Sequence, residues 1–278
     1  MLYEKHYINT ILSKYLSIHK TLGHSKLADV VHTAGDLNTL SHRQLRHYIA
    51  DLRNDVKTKG TGNKLIIGDL HTPFDLEEYF DFCVNLYKKY DCGSTLLIGD
   101  VVDSHASSYH ESDPDGLSAG DELFWAKKRL QRWHTQFPHA DLMMGNHDLI
   151  FARKAKSAGL SKSVLKPFEE IIECPTWKCH YDDIALDGII YSHGNVGDAA
   201  KKAVMNRIST VQGHLHSKGY VQHFVSIKDA IFGVQTGCGI DRHKYAMAYG
   251  KPFASKPVIG AAVILNNGTL PIVELMRL

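Results

Sequence analysis

The chain has 278 residues, of which 44% are hydrophobic and 22% are charged, and its formal net charge is +2. This length can bury a large core, as one domain or as a domain with a small appendage. No apolar stretch approaches the roughly 20 residues of a membrane span, and Met1 to Tyr15 lacks the apolar core of a signal peptide. We therefore expect a cytoplasmic protein without a membrane partner, whose five cysteines are reduced thiols.

The positive charge lies in the first 63 residues. They carry nine Lys and Arg against five Asp and Glu, or +4, which leaves 23 against 25, or −2, for the remainder. Apolar spacing predicts a helix over His6 to His19. Ser25 is predicted to cap a second helix, Lys26 to Thr33, and Ser41 a third.

The third predicted helix has an apolar face and a basic one. Its inner face consists of Leu45, Ile49 and Leu52, and its basic residues are Arg43, Arg46, His47 and Arg53. Residues 1–60 therefore resemble a helix-turn-helix segment that binds DNA. The alternative is a helical appendage that packs on the rest of the chain or forms a homodimer. The polar, glycine-rich residues 55–63 are predicted to be a linker.

The next stretch, Lys64 to His71, runs from an apolar strand into an aspartate and a histidine two residues apart. A carboxylate and an imidazole presented together suit a divalent ion such as Mn, Fe or Zn.

The same pattern recurs along the chain. Short apolar runs end in blocks with glycine next to Asp, Asn or His, namely Gly68-Asp69-Leu70-His71, Gly99-Asp100-Val101-Val102-Asp103, Gly145-Asn146-His147-Asp148, His193-Gly194 and Gly213-His214-Leu215-His216. A helix over Leu76 to Tyr90 links the first two runs, which predicts a parallel βαβ unit. Parallel sheets place their sites at the carboxyl ends of their strands.

Between the second and third blocks, residues 104–116 are predicted to form a long polar loop over the site. Its residues His105, Ser107, His110 and Asp113 are candidates for contact with substrate, and the alternative, which is favoured for each one individually, is a side chain that faces solvent. Ser118 and Asp121 then begin a helix with an apolar face. Further on, Asp187-Gly188 and Asn267-Gly268 predict hairpin turns between strands.

These five blocks, in this order, resemble the calcineurin-like metallophosphoesterase superfamily over residues 64–278. The resemblance implies an α/β fold, a four-layer αββα sandwich to which residues 1–60 are a small helical appendage. It also implies two divalent metal ions, with Mn favoured and Fe, Zn or Ni as alternatives. The implied ligands of the first ion are Asp69, His71, Asp100 and His216. Asp100 bridges to the second ion, which Asn146, His193 and His214 complete.

By the same resemblance, a hydroxide that bridges the ions attacks phosphorus in line. His147 is the predicted acid for the leaving group, and Asp148 is expected to orient its imidazole and raise its pKa. Asp103 is expected to support His147 or a ligand histidine.

The blocks depart from those of protein Ser/Thr phosphatases in the same superfamily. Those enzymes carry Arg and Glu where this chain has Ser104 and Asp148. The pattern is closer to phosphodiesterases and nucleases of the DNA-repair exonuclease type. In addition, Gly99 to Asp115 resembles phosphoesterases encoded by bacteriophages. A phage protein of this kind would act in the host cytoplasm. Candidates to substitute for the missing Arg are the downstream basic residues, for most of which a solvated surface position is the favoured alternative: Lys201, Lys202, Arg207, Arg242, His243 and Lys244.

The predicted function is therefore hydrolysis of phosphodiester bonds in nucleic acid or nucleotides, with DNA held by the basic N-terminal helices. The alternative is a small-molecule phosphomonoesterase, such as a nucleotidase, whose N-terminal helices cap the site or form a dimer. A third hypothesis, a DNA-binding regulator without catalysis, is disfavoured because every expected ligand and His147 are present.

Overall fold

The computed structural model describes residues 8, 11, 12, 15, 22–35, 37, 40–46, 48, 49, 62–109, 113–227, 229–244, 246 and 255–277. The chain divides into two compact units, Met1–Gly60 and Thr61–Leu278. In the described parts of both, no helix is long and apolar enough to cross a membrane.

The smaller unit is helical and has its own core. Its helix α1 spans His24–Ala34 and ends at Gly35, whose φ of 77° is left-handed. Residues 42–46, 48 and 49 are also helical, and Ser41 and Gln44 form the reciprocal hydrogen bonds of a capping box. The buried side chains are Ile8, Leu12, Leu27, Ala28, Val31, Leu37, Leu45 and Ile49.

One predicted cap in this unit is wrong. Helix α1 begins earlier than expected, with Gly23 at the N-cap, so Ser25 lies inside the helix. Most of the helix predicted over 6–19, together with His47, Leu52, Arg53 and the linker before residue 62, lies outside the described residues.

The larger unit alternates strands and helices. Its helices are α2 (Tyr79–Lys89), α3 (Ala119–Gln136), α4 (Ile150–Ser157), α5 (Phe168–Ile171) and α6 (Ala199–Asn206), with short 3-10 helices at His105–Ser107 and Lys162–Val164. Its strands are β1 (Lys64–Ile67), β2 (Ser94–Leu97), β3 (Asp141–Met143), β4 (Lys178–His180), β5 (Ile184–Leu186), β6 (Ile189–Ser192), β7 (Ser209–Gln212), β8 (Gly219–Val225), β9 (Ala230–Thr236), β10 (Gly260–Leu265) and β11 (Leu270–Leu275).

These strands form two mixed sheets. The first has the order β11-β10-β1-β2-β3-β4, and the second has the order β5-β6-β7-β9-β8. Strands β1 to β4 are parallel, as are β6, β7 and β9. The antiparallel pairs are β1–β10 and β10–β11 in the first sheet, and β5–β6 and β8–β9 in the second. Both predicted hairpins are present, as β5–β6 and β10–β11.

The side-chain alternation of β1 shows why the sheets stack. Ile66 packs in a core that also holds Val211 and Phe232 of the second sheet, whereas Leu65 and Ile67 point to the other face. That outer face packs against α2, α3 and α5. Helix α6 covers the second sheet so closely that a Cβ on Gly233 would lie 2.5 Å from the Cα of Ala200. The layers are therefore helix, sheet, sheet, helix, as predicted.

Candidate metal centre

All the candidate ligands follow the carboxyl ends of parallel strands. Strand β1 leads to Asp69 and His71, β2 to Asp100, β3 to Asn146, β6 to His193, and β7 to His214 and His216. Because the parallel strands of both sheets end at the same edge, these side chains converge there.

Asp69, His71, Asp100 and His216 form the first group, with their ligand atoms within 4.8 Å of one another. The Nε2 atoms of His71 and His216 are 3.1 Å apart. Nε2 of His216 is 3.2 Å from Oδ2 of Asp69, and Nε2 of His71 is 3.5 Å from Oδ2 of Asp100. Two imidazole nitrogens and two carboxylate oxygens thus face one point, which is a donor set suited to a divalent transition metal.

A second group lies on the other side of Asp100. It contains Asp100, His193 and His214. Nε2 of His193 is 3.2 Å from Oδ2 of Asp100 and 3.0 Å from Oδ1 of Asn146. Oδ2 of Asp100 is thus within 3.5 Å of both Nε2 of His71 and Nε2 of His193, so the same carboxylate oxygen belongs to both groups.

The ring orientations of two of these histidines are fixed by their Nδ1 atoms. Nδ1 of His71 is 2.5 Å from Oδ1 of Asp103, and Nδ1 of His193 donates to the carbonyl oxygen of Ile98 at 3.0 Å. In a neutral ring with Nδ1 as donor, the lone pair of Nε2 faces the centre, which is the tautomer that a metal ligand requires.

The centre concentrates negative charge in a buried place. Asp69, Asp100, Asp103 and Asp148 are each at most 2% exposed. Burial is the largest single effect on His193 and lowers its pKa, but the charge and hydrogen bond of Asp100, together with the charges of Asp69 and Asp148, outweigh it and raise the pKa to about 10. Burial raises the pKa of Asp100, but His193 and the other imidazoles hold it well below its usual range.

The residues fit a bound cation. Oδ1 of Asp69 is buried and has no hydrogen-bond partner within the described part of the chain, an arrangement that is costly unless a cation satisfies it. The protein has a buried Asp and His cluster suited to divalent metal ions, and the assignment of each ligand to one ion stays a prediction.

The backbone is strained where it aims the ligands. His71, Asp100 and His214 have φ of 52°, 49° and 67°, in the left-handed region that costs a residue with a Cβ about 1–3 kcal/mol. Glycine makes the close approach between loops possible at Gly145, where a Cβ would lie 2.0 Å from Oδ1 of Asp100.

His147 lies beside the first group, where Asp103 orients it. Its Nδ1 is 2.5 Å from the carbonyl oxygen of Asp103 and 3.6 Å from the Oδ1 of that residue, and its backbone N–H donates to Oδ1 of Asp100 at 2.8 Å. Burial lowers the pKa of His147, but Asp100 and Asp103 outweigh that effect and raise it. With 18% of its side chain exposed, the ring can exchange a proton with solvent or a substrate.

Asp148 does not make the contact that the sequence suggested. Its Oδ2 accepts the N–H of Gly145 at 2.9 Å and its Oδ1 accepts the N–H of Val102 at 3.1 Å. Asp148 therefore ties the loop after β3 to the loop after β2, and its charge adds only a minor part of the rise in the His147 pKa. Asp103 supports both imidazoles, those of His71 and His147.

The loop after Asp103 packs on α3. Glu122, which is buried, accepts the backbone N–H groups of His105 and Ala106 at 2.7 and 2.8 Å. Sequence reasoning missed Glu122, since an acidic residue in the first turn of a helix normally faces solvent. Ser107 is half-buried, Asp113 is exposed, and His110 lies outside the described residues. Contact of this loop with substrate stays a prediction.

Lys202 is the one predicted downstream cation that the structure brings beside His193, among those described. Its Nζ donates to Oγ of Ser192 at 3.1 Å, and both residues line a cavity of about 130 Å³ that also includes His193 and Asn195. Arg207 pairs instead with Asp229 on the surface. The other candidates are Lys201, Arg242, His243 and Lys244, all outside this cavity's lining.

No protein-family model matches the sequence, and no curated protein matches it significantly. Among solved structures, vacuolar protein sorting 29 from Cryptosporidium parvum is 15% identical with a TM-score of 0.39, and the match covers 78% of this chain and 97% of that one. Vps29 from Chaetomium thermophilum is 14% identical with a TM-score of 0.36, covering 77% and 96%. Nuclease MPE from Pseudomonas putida is 12% identical with a TM-score of 0.32, covering 80% and 89%. Structural similarity this low does not indicate a function for the chain. The function is therefore inferred from the residues of the metal centre alone.

Proposed function

We propose that the chain is a phosphoesterase of the calcineurin-like type that uses two divalent metal ions, with Mn²⁺ favoured, to hydrolyse phosphodiester bonds. The single observation that carries the proposal is that Oδ2 of Asp100 lies 3.5 Å from Nε2 of His71 and 3.2 Å from Nε2 of His193. A carboxylate oxygen shared by two donor groups is the arrangement that holds two cations a few ångströms apart, on the order of 4 Å in hydrolases of this kind.

When bound, the ions would polarise the phosphate and acidify a water for attack. The side chains of the protein do the rest. Asp69, His71, Asp100 and His216 would hold one ion, and Asn146, His193 and His214 would join Asp100 at the other. Neutral imidazole and amide ligands limit the negative charge of the centre, which favours binding of an anionic phosphate ester.

His147 would supply the proton that the leaving alkoxide needs. Its Nδ1 is engaged with the main chain of Asp103, so Nε2 is the atom available for transfer. The charges of Asp100 and Asp103 raise the pKa of His147 against the effect of burial, and so favour the protonated ring, the form that acts as an acid.

Nucleic acid or a nucleotide is the proposed substrate, and the N-terminal unit is proposed to bind DNA. Arg43 and Arg46 support this role, because both are exposed and a spacing of three places them on one side of a helix. Replacing both with alanine is expected to weaken binding of duplex DNA by the full chain and to reduce its salt dependence. Unchanged binding would leave the alternatives, a helical appendage or a homodimer element.

The test of the reaction compares bis-p-nitrophenyl phosphate with p-nitrophenyl phosphate, using the full chain after chelation and after addition of Mn²⁺. Turnover that requires the metal and prefers the diester is expected. A preference for the monoester would favour the small-molecule phosphomonoesterase. Absence of metal-dependent turnover on either compound would refute the proposed function.

A further inference from the structure

A strongly basic segment follows the loop that carries His147. Residues 149–166 contain Arg153, Lys154, Lys156, Lys162 and Lys166 and no Asp or Glu, although the whole chain has a net charge of only +2. Arg153, Lys154 and Lys156 are exposed and belong to α4. This part of the surface attracts polyanions.

Tyr109 adds an aromatic ring to the same surface. Its side chain is 58% exposed. Cζ of Arg153 is 5.1 Å from the ring centroid and Nζ of Lys154 is 5.4 Å from it. Both distances are in the range of cation–π attraction, so the ring and the two cations hold one another in place.

This cluster leads away from the candidate metal centre. Tyr109 is six residues beyond Asp103, and Arg153 is six residues beyond His147. The two segments touch at the centre, through Nδ1 of His147 and the carbonyl of Asp103, and touch again at Tyr109 and Arg153. They therefore run side by side from the centre to the exposed ring.

The cations of this cluster differ from other basic residues of the same unit. Arg129 and Arg132 pair with Asp75 and Glu77, and Lys89 pairs with Glu274. Within the described residues, by contrast, no carboxylate forms an ion pair with Arg153, Lys154 or Lys156.

We propose that Tyr109, Arg153, Lys154 and Lys156 form a track that binds single-stranded nucleic acid and guides it to the metal centre. This inference rests on the proposed function, whose substrate class it narrows. An exposed ring flanked by cations suits a strand with unpaired bases, because a base stacks on the ring or on the guanidinium while the ammonium groups contact phosphates. Duplex bases are already stacked on one another and cannot use the ring in this way.

The test measures binding of a fluorescein-labelled oligothymidylate by the full chain, by fluorescence anisotropy in chelator so that no hydrolysis occurs. Tyr109→Leu is expected to weaken binding by about 5-fold or more, in line with the loss of one stacked base, whereas Tyr109→Trp retains it. Arg153→Ala with Lys154→Ala is expected to reduce the slope of log affinity against log salt by roughly 0.7 per lost phosphate contact.

The matched control is Lys88→Ala with Lys89→Ala. Like Arg153 and Lys154, these two lysines are consecutive and exposed on a helix. Nζ of Lys89 also lies near an aromatic ring, 4.9 Å from the ring centroid of Tyr90. Binding by the control is expected to equal that of the wild type. Track variants that bind oligothymidylate as tightly as the control variant does would overturn the track.

Turnover of bis-p-nitrophenyl phosphate separates the two proposals, since that compound is too small to need the track. If the track variants have reduced affinity for oligothymidylate but keep wild-type turnover of the small diester, both proposals are supported. If the wild type binds through Tyr109 but hydrolyses no diester with metal, the proposed reaction fails and the binding track stands.

Discussion

Replacing Gly145 with alanine tests whether the loops of the metal centre meet as closely as the structure shows. The added Cβ would lie 2.0 Å from Oδ1 of Asp100 and 2.3 Å from its backbone nitrogen, whereas ordinary contact begins at 3.4 Å. The φ of Gly145 is not left-handed, so the methyl group is the whole perturbation. The two loops must separate by roughly 1 Å or more to admit it.

Two hydrogen bonds resist that separation, because Asp148 accepts the N–H groups of both Gly145 and Val102. A misplacement of about 1 Å in a catalytic group costs on the order of 100-fold in rate. Overpacking of a buried site also lowers the free energy of unfolding by about 1–3 kcal/mol. Gly145→Ala is therefore expected to fold, to bind Mn²⁺ more weakly, and to lose about 100-fold in turnover.

The assays are Mn²⁺ titration calorimetry, turnover of bis-p-nitrophenyl phosphate and thermal unfolding. Gly120→Ala is the matched control, because Gly120 lies exposed in α3 and its nearest neighbour to a new Cβ, Oγ of Ser118, is 3.9 Å away. The control should keep wild-type turnover and gain up to about 1 kcal/mol in unfolding free energy, from helix propensity. Wild-type Mn²⁺ affinity and turnover in Gly145→Ala would refute the close packing of this loop on Asp100.

Four further variants test the roles of single side chains. Asp103→Asn should reduce Mn²⁺ affinity by about 10–100-fold, because Nδ1 of His71 loses its carboxylate partner, and unchanged affinity in calorimetry would contradict this. His147→Ala should keep its bound metal in elemental analysis while turnover falls by about 100–10,000-fold, and undiminished turnover would exclude it as the acid. Asp100→Ala should lose both ions in the same analysis, and a fully active variant would disprove the shared ligand. Leu45→Ala should destabilise residues 1–60 by about 2–5 kcal/mol without changing turnover, and calorimetry showing one common melting transition would count against separate domains.

The resemblance of the five blocks implied the four-layer fold, whereas the residue pattern itself predicted that polar side chains converge at a sheet edge. An apolar run followed by glycine marks the end of a buried strand, and parallel strands of one sheet end at one edge. Asp69 and Asp100 follow such runs in one sheet, so their meeting at its edge is expected from the sequence, whereas His193 follows β6 of the second sheet and reaches the same edge through the stacking of the two sheets. The same local rules predicted the cap at Ser118, whose side chain accepts the N–H of Asp121.

The partners of the supporting side chains required the tertiary structure. Asp148 is next to His147 in sequence, yet its carboxylate joins two backbone loops, while Asp103, 44 residues away from His147, holds the imidazole. Such contacts depend on the direction in which each loop leaves its strand, and left-handed residues such as Asp100 set that direction. By itself, the sequence determined which side chains stand at the strand ends. Only the packing of the loops decided which of them share an atom, because a hydrogen bond depends on distances of tenths of an ångström that residue spacing does not encode.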